Sequence, residues 1–135
     1  MGNLHSVMSA VNYLGYDAII TNDRDELLES NKIILPGVGE FRSAKINLEK
    51  LKLFDLIKDI YQTKQTKILG ICLGMQLLAE SSEEGGFHKG LGIIPGKVKE
   101  IKKIKGLRIP HIGFNEVIFP ENSLLKGLSK ETMDF

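Results

Sequence analysis

Gly70-Ile71-Cys72-Leu73-Gly74, closing the apolar run that begins at Lys67-Ile68-Leu69, constrains this fold more than any other segment. A run that stays apolar throughout reads as a strand of a parallel sheet covered on both faces. Glycines two residues either side of a cysteine then mark a sharp turn from strand to helix, in the form of a nucleophile elbow with cysteine in place of serine. The expected reason is steric. The nucleophile takes strained backbone angles, and side chains at the flanking positions would collide where strand and helix cross. Such a turn lifts the sulfur out of the sheet and sets it at a helix N-terminus, where free N–H groups and the helix dipole favour thiolate. It also aims the Leu73 N–H at the place where an oxyanion would form. An arbitrary cysteine is usually a small buried apolar residue; the glycines and the strand-to-helix switch favour the nucleophile here.

The rest of the chain supplies a matching frame. Leu4, Val7, Met8, Val11 and Leu14 recur at helical spacing, and Gly15 reads as the stop. Ala18-Ile19-Ile20-Thr21 is a short β-type run. Asn22 or Asp23 can cap a brief helix through Leu27 and Leu28. Lys32 to Leu35 reads as a strand ended by Pro36-Gly37-Val38-Gly39. Helices are expected from about 40 to 50 and 54 to 63, the second with Ile57, Ile60 and Tyr61 on one face. The helix after Cys72 carries Met75, Leu78 and Ala79. A glycine-rich loop follows from Gly85 to Gly92. Residues 98–104 and 107–119 alternate like antiparallel strands, with turns at Pro95-Gly96 and Lys105-Gly106. Strand–helix alternation followed by a β-rich stretch predicts a three-layer α/β domain, mostly parallel, with an antiparallel extension.

Length and composition narrow the partners. A chain of 135 residues suits one domain, 1–135. Its 18 basic and 17 acidic residues nearly balance, which gives no electrostatic reason to expect nucleic acid or a membrane surface. Lys97, Lys99, Lys102, Lys103, Lys105 and Arg108 form a basic run, read as a solvated strand edge and loop rather than a docking face for an acidic partner. The single cysteine excludes an internal disulfide, no zinc-type spacing appears, and a reduced cytoplasmic setting is expected. No metal or other cofactor is expected. No stretch reaches the roughly 20 apolar residues of a membrane span. Gly2 and Ser6 match a myristoylation pattern, but Leu4 onward reads as packed helix.

Pro36-Gly37-Val38-Gly39 taken alone is equally a plain turn or a loop whose N–H groups face an anion. In a parallel sheet, loops at the strand C-termini gather at one edge, so this loop and Cys72 are expected to be neighbours.

Together with Gly90-Leu91-Gly92-Ile93-Ile94-Pro95-Gly96 and Pro110-His111-Ile112-Gly113-Phe114-Asn115, the Pro36–Gly39 and Gly70–Leu78 segments resemble the glutaminase subunits of imidazole glycerol phosphate synthase, class I triad glutamine amidotransferases. The likeness covers essentially the whole chain. It implies a flavodoxin-like three-layer domain in which Cys72 attacks the side-chain amide of L-glutamine. Gly37, Val38, Gly39 and Leu73 would form the oxyanion hole. Gln76 and Glu84 would hold the glutamine head group; without the resemblance both read as polar surface. The ammonia would pass to a (β/α)8 cyclase subunit, the heterodimer partner, in histidine biosynthesis. His111, Phe114 and Asn115 would lie toward that interface.

Two departures bear on these expectations. Ile112 and Phe114 stand where the family pattern has methionine and tryptophan, which also fits a paralogue serving the amidination of a surface sugar. The resemblance further implies a first strand and a C-terminal His-Pro-Glu run without counterparts here, so the chain reads as incomplete at both ends. Without that base, turnover by these 135 residues alone is expected to fall by several orders of magnitude, leaving a docking module as a third reading. His5 and His88 are expected to be solvated, and His111 does not replace the base. A peptidase-type relative would keep a histidine directly after the cysteine, where Leu73 stands.

Overall fold

The computed structural model describes residues 4–64 and 66–102. The chain divides into two compact units, Met1–Glu100 and Ile101–Phe135. The architecture below is that of the first; of the second, only Ile101 and Lys102 are described, both exposed.

Among the described residues ten elements follow in order: α1 (Leu4–Tyr13), α2 (Arg24–Glu29), β1 (Lys32–Gly37), α3 (Phe41–Lys50), α4 (Leu53–Lys64), β2 (Lys67–Cys72), α5 (Leu73–Leu78), β3 (Ala79–Ser82), β4 (His88–Lys89) and β5 (Ile94–Val98). Helix α1 ends as its sequence predicts. The N–H groups of Gly15 and Tyr16 donate to the Asn12 and Val11 carbonyls at 2.9 and 3.2 Å, and Gly15 takes φ +79°. This is a Schellman closure, which needs the left-handed conformation at that residue. The cap of α2 is Asp23 rather than Asn22: its Oδ1 accepts from the N–H groups of Asp25 and Glu26 at 2.8 and 3.1 Å.

Strands β1 and β2 pair in parallel, from Lys32 opposite Lys67 to Gly37 opposite Cys72. Ile33, Leu35 and Ile68 share one face of this ladder, and the core gathers on that side. Helix α3 contributes Phe41, Ala44 and Leu48 at helical spacing, and α4 contributes Leu53, Phe54, Leu56, Ile57 and Ile60. Leu27 of α2 and Leu73, Leu77, Leu78 and Leu91 complete it. A second sheet, in the order β4-β3-β5, pairs β3 antiparallel with β4 and parallel with β5. The outcome is an α/β fold with mostly parallel pairing and a mixed extension.

Several expectations change. The opposite face of the β1–β2 ladder is not covered by described residues: Ile34, Leu69 and Ile71 are exposed. Ala18-Ile19-Ile20-Thr21 is not a strand. Its residues have β propensity, but no described strand pairs with them, and a strand exists only through its ladder. Tyr61 lies outside the buried face of α4, which is centred on Ile57 and Ile60. Ala79 opens β3 instead of prolonging α5, since its carbonyl accepts from the Gly92 N–H.

Pro95-Gly96 is not a turn but a bulge inside β5. Ala79 faces Ile94 while Ser81 faces Lys97, so β5 carries one extra residue there, and Gly96 adopts φ +121°. Proline without an N–H and glycine with positive φ suit a bulge as well as a turn, so the local signal was ambiguous. Of the described residues in the predicted 98–104 strand, Val98 lies in a strand and 99–102 do not; 103 and 104 lie outside the described residues. The predicted 107–119 strand and the Lys105-Gly106 turn lie outside the described residues.

Candidate active site

Cys72 ends β2 and immediately precedes α5, at φ +53° and ψ −117°. Such angles cost a non-glycine residue on the order of 1–3 kcal/mol and persist only where surrounding structure enforces them. The enforcing contacts are visible on both sides. A Cβ on Gly70 would lie 2.5 Å from the Cα of Met75, and one on Gly74 would lie 1.7 Å from the carbonyl oxygen of Leu35. Neither obstacle is a flexible side chain. The flanking glycines therefore let helix α5 cross tightly over β1 and β2, as the sequence predicts. Leu73 and Gly74 are buried beneath the turn, whereas Cys72 is exposed.

Parallel pairing brings the second predicted segment to the same corner. Gly37 is the ladder partner of Cys72, and a Cβ on Gly37 would come within 3.1 Å of both the Gly74 nitrogen and Leu73 Cβ. Beyond it, Val38 is 63 % exposed and Gly39 takes φ +99° in open space. Gly39 is needed for its backbone angle, not for room. The loop runs into Glu40 and then Phe41, the first residue of α3; Ser43 Oγ donates to Glu40 Oε2 at 2.9 Å.

Gln76 is half-buried on α5, one turn beyond Cys72. Glu84 lies in the hairpin loop between β3 and β4, and its N–H donates to the buried Ser82 Oγ at 3.1 Å. This hairpin reaches the loop after β1. A Cβ on Gly85 would be 3.6 Å from Glu40 Oε1. His88, the ladder partner of Ser82, stacks on Phe41 with ring centroids 6.4 Å apart and planes at 26°. Its Nε2 is buried without a hydrogen-bond partner among the described residues, so His88 is not the solvated histidine its sequence context suggested. His5, by contrast, is exposed as expected. Nothing in Phe87-His88-Lys89 signals this packing, because β4 is two residues long and its partner ring comes from a distant helix. His111, Phe114 and Asn115 lie outside the described residues. No cluster of metal-ligating side chains occurs among the described residues.

A profile of the glutamine amidotransferase class-I family matches residues 2–133. The chain belongs to the class-I glutamine amidotransferases. It is 43% identical over 136 residues to imidazole glycerol phosphate synthase subunit HisH 2 of Vibrio vulnificus, covering 100% of this chain and 64% of that protein. HisH 2 of Methanococcus maripaludis is 46% identical over 119 residues, covering 88% and 58%. HisH of Aquifex aeolicus is 44% identical over 132 residues, covering 96% and 62%. The chain thus spans less than two thirds of the length of these curated relatives. No described helix of this amidotransferase chain is long and apolar enough to cross a membrane.

Proposed function

We propose that this chain carries the nucleophile half of a glutaminase that feeds an imidazole glycerol phosphate synthase. The observation that carries the reading is the exposed Cys72, held at positive φ on a glycine-flanked corner with Gly37 as its ladder partner. Cys72 Sγ, as thiolate, attacks the side-chain amide carbon of L-glutamine. The C=O π pair moves onto oxygen, and N–H groups of Leu73 and of the Gly37-Val38-Gly39 loop receive that charge. Collapse re-forms the carbonyl, breaks the C–N bond and releases ammonia after protonation of nitrogen. The glutamyl thioester is then hydrolysed by water to glutamate, which returns the thiol. Gln76 and Glu84 hold the substrate's head group. The proton that the nitrogen takes is the one the Cys72 thiol gives up.

The named relatives are subunits of imidazole glycerol phosphate synthase, which favours that acceptor over amidination of a surface sugar. The partner is then a (β/α)8 cyclase, with His111, Phe114 and Asn115 toward it, and the setting is cytoplasmic. Residues 1–135 act as one domain in this reading.

A diazoketone analogue of glutamine tests it. The analogue should alkylate Cys72, free glutamine should slow the labelling, asparagine should not, and Cys72→Ala should remove it. Labelling that glutamine leaves unaffected overturns the assignment. Capture of the cyclase without any glutamine protection favours a docking module instead.

A further inference from the structure

Two segments assigned to glutamine are far apart in sequence: the 37–39 loop and the hairpin that carries Glu84. They are connected in space through His88 and Phe41. His88 sits at the base of the β3–β4 hairpin, opposite Ser82, whose hydroxyl accepts the Glu84 N–H. The His88 ring stacks on Phe41, which is fully buried and stands two residues after Gly39. At the hairpin tip, the Gly85 backbone approaches Glu40 Oε1, as a Cβ there would lie 3.6 Å away. The hairpin therefore packs on Phe41, the first residue of α3, and its tip lies near Glu40 at the end of the 37–40 loop.

We propose that His88 is a positioning residue, whose stack on Phe41 sets the Glu84 hairpin against the 37–40 loop and so shapes the seat for glutamine. The proposal rests on the glutaminase reading of Cys72. His88 Nε2 is buried with no hydrogen-bond partner among the described residues, so the contact that holds the hairpin is the packing of the ring on Phe41. Phenylalanine should then replace it, while glutamine or alanine at the same position should not. A hairpin freed from Phe41 would have to be ordered again each time substrate binds, which weakens binding without altering the nucleophile.

The experiment measures how much free glutamine half-protects Cys72 from the diazoketone analogue, alongside labelling by iodoacetamide, which needs no glutamine seat. In His88→Ala and His88→Gln the half-protecting concentration should rise about tenfold, the effect expected from ordering one hairpin. In His88→Phe it should stay within about twofold, and iodoacetamide labelling of Cys72 should hold in all three, because the elbow is untouched. Unchanged protection in His88→Ala overturns the proposal. So does rescue by glutamine but not by phenylalanine, which would point to a hydrogen bond. A parallel change in iodoacetamide labelling overturns it as well, because the role would then be general stability. Absence of glutamine protection in the unsubstituted protein removes the glutaminase reading itself, and this proposal with it.

Discussion

Gly37 faces Cys72 as the last of six residue pairs in the parallel ladder of β1 and β2. The loop that leaves Gly37 therefore starts beside the sulfur, at the edge where the carboxyl ends of both strands open. That pair sets the start of the 37–39 loop and Cys72 at one corner, and the tightness of the corner leads to the first prediction.

Gly74→Ala should collapse the corner. Its Cβ would stand 1.7 Å from the Leu35 carbonyl oxygen, which belongs to the strand paired with β2. The helix must move off the sheet or the peptide must rotate, at a cost of at least about 3 kcal/mol, the upper end for overpacked sites. Chemical denaturation should show this loss, and glutamine-protected labelling of Cys72 should vanish with it.

Cys72→Gly should act in the opposite sense on stability. Residue 72 sits at φ +53°, where glycine is unstrained and cysteine is not. Relief of strain, offset by the greater freedom of glycine in the unfolded chain, should raise the unfolding free energy by about 1 kcal/mol. All alkylation at this position is lost. A variant less stable than the native protein would show that the corner imposes no strain on Cys72.

Asp23→Ala should lower stability by about 1 kcal/mol, because the Asp25 and Glu26 N–H groups lose their acceptor at the start of α2. Labelling of Cys72 and its protection by glutamine should be unchanged in the folded protein. Denaturant titration and the labelling assay together separate this local effect from any effect on the site.

Much of the frame was legible because its signals are short-range. Apolar spacing marks α1 and α4, Asp23 marks the start of α2, and Gly15 marks the end of α1, each within a turn of the residues concerned. Where readings failed, the deciding partner lay elsewhere in the chain. Residues 18–21 look like a strand, yet only a neighbouring strand could make them one. Pro95-Gly96 suits a turn or a bulge, and pairing with β3 selects the bulge. His88 looks solvated until Phe41 is placed against it.

The Gly70 side of the corner at Cys72 belongs to the sequence itself: Gly70 must clear Met75, five positions on, and a clash over so short a separation is written into the order of residues, whereas Gly74 must clear Leu35 of β1. What the corner faces belongs to the tertiary structure. The pairing of Gly37 with Cys72 and the seating of the Glu84 hairpin on Phe41 join segments whose separation along the chain leaves no local trace. Only the ladder register and the packing of the core bring them together.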